Sequence, residues 1–481
     1  MEQYCLAMPA PIYSYRPEIK IEILDNDVTV NLGDKGSCTI RKNLYHPAAE
    51  FQLIFPDLPM PASIGGGSAT RESLYGLVNP VDRIIIWVRR WRDGTQSVEP
   101  WIPVLTGFVR SVGRDEMVGP DGRVHRQVVV TGQDCGAVFL LEQVAAFITY
   151  QNNNMGGPVA GALNWLREYG LTNKTQKIED FMWEVATKTT ASLMQAAGFE
   201  FIKKFYVTKG RILPHSAFSQ EGTIWEMLYR YADGPWNEFF VRENRNMLDD
   251  KGNGKSGVDY RAKEMINPEL VFRPTPWLDI DEKPLPDVDM SSVTMWNVKL
   301  AHVIALRAHR DDAELVNHVW IHTPLMASAA FTQAVKEMTG LVNGETRAKY
   351  GDRIQQEATR LFHSDIAETP VNRPRGSQRE GERQMLTWAQ DRQKWMVQAQ
   401  TSIHEFERGS MTLKGYPMMR VGDYFRLHRG DIVWHGYITN IVQDFQPYRR
   451  YLTTMDYIRG NQILVRREIK NPWDKERKTG D

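Results

Sequence analysis

The chain has 481 residues, too many for a single growing core, so about two to four domains are expected. Basic and acidic residues balance at 59 each, which removes the electrostatic case for a polyanion-wrapping protein, and no apolar run approaches the ~20 residues that span a bilayer. The N-terminus lacks a basic region and an apolar core, so no cleaved export signal is expected, and the widely spaced Cys5, Cys38 and Cys135 fit packing in a reducing compartment better than a disulfide framework or a zinc site.

In chain order, Cys38 to Phe55 reads as a kinked hairpin with Ala49-Glu50-Phe51 before its second strand. A connection from Pro56 to Asp82 leads to a strand, Ile84-Ile-Ile-Trp87-Val88-Arg89. A meander follows: Val104-Leu-Thr-Gly107-Phe108-Val-Arg-Ser-Val112, then Asp115, a Gly-Pro-Asp-Gly turn at 119–122, and a return through Val128 and Thr131 to Asp134. Helices are predicted over Pro158–Tyr169, Ile178–Ala197 and Glu221–Ala232, the last with Ile224, Trp225 and Leu228 on one face and a stop at Asp233-Gly234-Pro235. Phe239–Val241 and Leu270–Phe272 read as strands around a polar loop, and Pro274 to Pro286 reads as a linker.

Val303 to Ile321 looks like a second kinked hairpin, with Ala313-Glu314-Leu315 at the matching point. Thr323 to Gly409 is expected to be largely helical: Leu325–Met338, Glu345–Phe362 and Glu382–Arg408, with Thr369 to Gly381 as a mobile surface loop. Val421-Gly422 then enters a strand, Asp423-Tyr424-Phe425-Arg-Leu427. A second meander runs Val433-Trp-His-Gly436-Tyr437-Ile-Thr-Asn-Ile441, Asp444, a short turn at Pro447, and a return through Leu452 to Asp456. The charged tail from Glu468 to Asp481 is expected to fray.

The two meanders share glycine, aromatic, β-branched and aspartate positions in one order, which points to a duplicated unit. Each unit is hairpin, connection, meander. The long second connection is tolerable because each doubling of loop length costs only ~0.6 kcal/mol.

With the duplication in hand, Gly222-Thr-Ile-Trp225-Glu-Met-Leu228, Pro235-Trp236-Asn-Glu238-Phe-Phe, Leu270-Val-Phe-Arg273-Pro-Thr-Pro276 and Leu413-Lys-Gly415-Tyr-Pro417 resemble the baseplate or tail hub proteins of tailed bacteriophages, whose barrels are related to those of type VI secretion spikes. The likeness spans roughly residues 18 to 460. It implies an α+β protein with two tandem antiparallel β-barrels of tail-tube type: a first barrel with its N-terminal arm over 1–147, a mixed α/β middle domain over 148–297, a second barrel over 298–323 and 410–466, a helical insertion over 324–409 and a tail over 467–481.

The resemblance also implies a homotrimer at the virion tail tip, assembled in the host bacterial cytoplasm. Its six barrels would adapt a six-fold tail tube to a three-fold spike and enclose the DNA channel without gripping DNA. Partners would be the tail tube or distal tail protein and the central spike, with tape-measure and baseplate wedge proteins at the periphery. Gly107, Phe108, Gly436, Tyr437, Trp225 and Trp236 are the structural and interface residues on which this reading rests, and no catalytic, cofactor or metal site is expected.

Other motifs have plainer readings. Gly254-Lys255-Ser256 echoes a P-loop end, but position 249 is Asp and no apolar strand precedes it. An EF-hand starting at Asp279 would place Lys283 and Leu285 at ligand positions, so Asp279, Asp281, Glu282, Asp287 and Asp289 read as a solvated acidic linker. His302, His309, His318 and His322 lack a completing carboxylate or thiol. Trp87, Arg89, Trp91 and Arg92 interleave as in single-strand binders, yet also suit a strand packed in a core. HExxH and GxSxG are absent. Two functional alternatives are kept: a cell-wall-degrading glycosidase, which requires an acidic pair such as Glu179 and Glu238 lining a deep cleft about 5 to 9 Å apart, and a carbohydrate- or receptor-binding β-protein, which requires an exposed aromatic platform.

Overall fold

Alternating apolar and polar side chains recur over residues 15–134 and 407–464, and both stretches form antiparallel sheet. The computed structural model describes residues 15–58, 73–92, 100–118, 122, 124–143, 177–206, 212–214, 222–245, 263–286, 288–322, 340–359, 361–363, 375–429 and 432–464. Cys5, the predicted helices Pro158–Tyr169 and Leu325–Met338, the Gly254-Lys255-Ser256 segment and the tail lie outside these residues, as do the side chains of Trp91, Arg92 and His322.

The first half contributes β1 (Tyr15–Ile23), β2 (Asn26–Asp27), β3 (Ser37–Asn43), β4 (Glu50–Pro56), β5 (Arg83–Arg92), β6 (Ile102–Val118) and β7 (Val124–Asp134). The middle supplies β8 (Ile202–Phe205), β9 (Ile212–Pro214), β10 (Asn237–Arg242) and β11 (Glu269–Pro274). The second half opens with β12 (Met295–Val298) and β13 (Val303–His309). An insertion holds β14 (His318–His322), β15 (Leu341–Val342), β16 (Ile354–Ala358) and β17 (Leu361–His363). The second half resumes with β18 (Glu407–Lys414), β19 (Tyr424–Arg429), β20 (Ile432–Gln446) and β21 (Arg450–Leu464).

Strand pairing repeats. The first half is ordered β1-β5-β6-β7-β4-β3 and the second β12-β19-β20-β21-β18-β13, all within one 13-stranded sheet. The first contact differs, since β1 meets β5 antiparallel while β12 meets β19 parallel. Register repeats too: Gly107 faces Ile84 as Gly436 faces Phe425, and the long ladders slip at the same place, between Val109 and Ser111 and between Ile438 and Asn440. A bulge there adds twist and bends the strand. Among the described residues, no ladder joins β1 to β3 or β12 to β13, so the pairing order within each half does not close on itself.

Two details differ from the sequence reading. Asp134 and Asp456 are not counterparts: Thr131 faces Ser111 as Asp456 faces Asn440, so Asp456 matches Thr131. The hairpin partner of β13 is β18, not His318–Ile321, because β14 joins β15 and β16 in a separate sheet. The insertion therefore lies inside a hairpin. It is less helical than expected: a helix over Gly344–Tyr350 gives way to β16 and β17, and one long helix runs Arg375–Thr401, including part of the segment read as a loop and ending before Glu407 enters β18.

The halves meet where residues 440–445 of β20 pair with residues 38–43 of β3, and Phe445 and Tyr451 enter the first half's core. On β5, Ile84, Ile86 and Val88 face that core, while Ile85 and Trp87 face the middle domain. This two-sided burial explains the unbroken apolar run. Trp87 is thus a core residue, and Arg89 pairs with Glu18 at 2.7 Å.

In the middle, a helix over Ile178–Thr189 is followed after Thr190 by another over Ala191–Ala196. The helix Ile224–Ala232 starts at a capping box in which Thr223 and Glu226 satisfy each other's backbone amides. The stretch read as a linker is packed: Leu278 and Leu285 are buried, and Trp277 stacks on Trp395 at 5.4 Å.

Candidate functional site

The strands β10 and β11 are buried on both faces, and each carries two charges four residues apart, Glu238 and Arg242 on β10 and Glu269 and Arg273 on β11. Phe239, Val241, Leu270 and Phe272 point to the helices of the middle domain. On the other face Glu238 lies opposite Arg273, Phe240 opposite Val271, and Arg242 opposite Glu269, so two cross-strand ion pairs flank an apolar pair. That face meets the second half, and a buried polar joint forms there.

Arg273 donates to Glu238 at 2.6 Å, to the carbonyl of Ser292 at 2.6 Å and to the carbonyl of Gly422. The Tyr437 hydroxyl donates to Glu238 at 2.6 Å. Arg242 bridges Glu269 at 2.8 Å and Asp423 at 3.1 Å, and Arg420 bridges Asp423 at 3.1 Å and Glu269 at 3.2 Å. Trp296 adds an indole N–H to Asp423 at 3.0 Å.

The joint extends into the first half. Lys42 on β3 lies 2.8 Å from both Asp134 and Glu243. Arg245 donates to the carbonyls of Pro103 at 2.6 Å and Pro417 at 3.0 Å, and Arg90 to that of Gly415 at 2.8 Å. Three parts of the chain are thus fastened by one network.

Its charges are mutually compensated. Burial alone would raise the Asp423 carboxyl, but Arg420, Arg242 and Arg273 hold it below its ordinary value. Glu269 is lowered by Arg242 and Arg420, and Glu243 by Lys42 and Arg245, in each case against burial. Asp134 is raised, by burial and then by Glu243, which Lys42 only partly offsets. Burial brings Arg245 down to about 10 and, with Glu238, lifts the Tyr437 hydroxyl well above its usual range. Removing one member of such a set strands its partner at a cost of about 3–5 kcal/mol. This chemistry holds geometry.

Of the residues singled out in the sequence, Tyr437 bonds into this joint, and the others take places of their own. Gly107 has no room for a side chain, since a Cβ would sit 2.1 Å from the Gln133 carbonyl oxygen. Gly436 is crowded by the rings of Phe425 and Tyr457. Phe108 reaches the middle domain and meets Phe199 edge-on at 6.1 Å, while its counterpart Tyr437 reaches Glu238. Trp225 packs against Phe239 at 5.3 Å. Trp236 docks the insertion, donating to the Arg392 carbonyl at 3.3 Å with that guanidinium 4.5 Å above its ring. The side chains of Phe108, Tyr437, Trp225 and Trp236 are buried within the chain, so the interfaces they form here join its own parts.

Sequence reasoning missed the network as a whole. The available signal was opposite charges four residues apart, and so on one face, at the ends of apolar strand segments, Glu238 with Arg242 and Glu269 with Arg273, where solvent-facing strands would place charges without large apolar residues on both faces.

The other motifs resolve simply. His302 is buried beside the Tyr416 hydroxyl at 2.5 Å and is pushed down to about 4 by burial and then by Arg90. His309 is exposed and His318 lies 3.2 Å from Asp352. Among the described residues no three His, Cys, Asp or Glu side chains gather as for a metal ion. Asp279 accepts backbone N–H groups from Asp281 and Lys283, which closes a turn. A cleft of about 1070 Å³ lies between β1 and the β20–β21 turn, but neither Glu179 nor Glu238 lines it. None of the tryptophans whose side chains are described is exposed, whereas Tyr45, Tyr75, Tyr229 and Tyr448 are.

No family model matches the sequence, and no curated protein matches it. Solved structures do. The 43 kDa tail protein of prophage MuSo2 from Shewanella oneidensis matches at 11% identity and TM-score 0.46, over 92% of this chain and 97% of that one. A tail protein from Neisseria meningitidis matches at 8% identity and TM-score 0.47, over 92% and 96%. An Escherichia coli component of the type VI secretion system matches at 8% identity and TM-score 0.36, over 92% and 76%. The structural neighbours of this chain are thus phage tail proteins and type VI secretion components.

Proposed function

We propose that this chain is a structural hub of a phage tail baseplate, a homotrimer whose six sheet halves curve into barrels around a DNA channel and adapt a six-fold tube to a three-fold spike. The observation that carries the reading is the duplicated register: two halves of one chain share pairing order, glycine position and bulge. Three such chains present six similar surfaces on one face while keeping three-fold symmetry below, so the mismatch is absorbed by duplication and not by strained contacts. The buried joint gives the paired halves a fixed relative orientation, which such an adaptor requires.

The role is structural. Glu238, one of the two carboxylates named for a glycosidase pair, is bound by Arg273 and Tyr437. Partners on this reading are the tail tube or distal tail protein above and the central spike below, with the insertion facing peripheral tail components. Balanced overall charge suits a channel through which DNA slides without being held. Sedimentation equilibrium of the intact chain tests the reading: a mass of three chains is expected, and a stable monomer or dimer in the presence of tube and spike proteins contradicts it.

A further inference from the structure

Among the described residues, the duplication leaves one junction filled and its counterpart open. Within the chain, residues 440–445 of β20 pair antiparallel with residues 38–43 of β3, from Asn440 opposite Asn43 to Phe445 opposite Cys38. By the matched registers, residues 111–116 of β6 correspond to 440–445, and residues 305–309 of β13 correspond to 37–41 of β3. Among the described residues β6 has no ladder beyond Phe108 on its β5 side, and β13 pairs only with β18.

Burial follows occupancy. Ile441, Gln443 and Phe445 are buried, whereas Arg114, Asp115, Glu116, Met117 and Val118 are exposed. Cys38, Ile40 and Lys42 are buried on β3, while Ile304, Ala305 and Arg307 to His309 on β13 are exposed or nearly so. Met117 is 68% exposed and Ile304 55%, so each free edge carries a large apolar side chain in water. Unpaired edges with apolar side chains are templates for strand addition.

We infer that the outer part of β6 in one copy pairs antiparallel with β13 of a second copy, in the register that β20 and β3 use within the chain. That register sets Asp115 opposite Arg307, Glu116 opposite Leu306 and Arg114 opposite Ala308. The contact is heterologous, one edge of each copy meeting the other edge of the next, so it propagates until it closes. This inference rests on the assembly reading above and gives it a residue-level interface.

The test uses the full chain in a Cys5→Ser background, leaving only the buried Cys38 and Cys135. Asp115→Cys and Arg307→Cys variants are purified separately, mixed and oxidised. A disulfide-linked dimer is expected in the mixture and not in either variant alone, nor when Asp115→Cys is mixed with Ile354→Cys, an exposed position in the insertion. In parallel, Asp115→Arg and Arg307→Asp should each lower the assembled fraction severalfold, and the double reversal should restore it. A mass of three chains with no cross-link above the control, and no rescue, overturns this interface and leaves the hub reading standing. A cross-link with open chains that never close at three supports the interface and removes the ring. A single-copy protein with no cross-link removes both.

Discussion

Gly107 and Gly436 occupy the same place in the two meanders but are crowded by different things. Beside Gly107 stand the backbone atoms of Gln133 and Asp134, and beside Gly436 the rings of Phe425 and Tyr457. Backbone in a ladder cannot retreat, whereas rings can tilt. Gly107→Ala should therefore cost about 3 kcal/mol and Gly436→Ala about 1 kcal/mol, with Gly436→Val closer to the former. Urea midpoints at unchanged slope provide the measurement. Equal costs at the two glycines would show that their surroundings yield alike.

Glu238 accepts from both Arg273 and Tyr437, at 2.6 Å in each case. Tyr437→Phe removes one donor and should cost about 1–3 kcal/mol. Glu238→Ala leaves the fully buried Arg273 without its carboxylate and should cost about 3–5 kcal/mol. The same denaturation series reads both, and a Glu238→Ala protein as stable as the parent would mean that the joint does not hold the halves.

Acid should loosen the joint. Glu243, Glu269 and Asp423 have folded values below their ordinary ones, so their contribution is complete above about pH 4.5 and is lost as pH falls through the folded values. Asp134 has the opposite sign, because its raised carboxyl costs stability when ionised and that cost relaxes on acidification. Asp134→Asn should accordingly destabilise less than Glu243→Gln at pH 7, and thermal melts of the two variants compare them. The reverse order would mean that Lys42 favours Asp134 over Glu243.

Arg392 ties the insertion to the body: it pairs with Asp233 and lies 4.1 Å from the ring of Trp388 and 4.5 Å from that of Trp236. Lysine cannot cover two rings and pair with a carboxylate in the same planar fashion. Arg392→Lys should increase proteolytic cleavage within residues 310–406 severalfold while leaving the sheet halves intact. Unchanged cleavage would place the anchor of the insertion elsewhere.

The meanders were legible because their signals are local: period-two alternation, a strand glycine and a turn. Their register was not, since the aspartates closing each return strand offer a match of Asp134 with Asp456 that lies three positions off the pairing, in which Asp456 answers Thr131. Pairing of β13 with β18 across the insertion was invisible for a related reason, because a nearby apolar segment, Val319–Ile321, offered an equally good strand. Glu345–Phe362 reads as one helix because Gly351 ends the helix with no break in the polar pattern. The ion network joins residues up to about 200 positions apart, such as Lys42 and Glu243, and no window along the chain contains both.

The most direct test of the central claim is a cryo-electron microscopy map of the intact chain viewed along its assembly axis. The account predicts three copies with six lobes alternating first half, second half around an open channel. A single copy, or a trimer whose halves do not alternate around one axis, would contradict it.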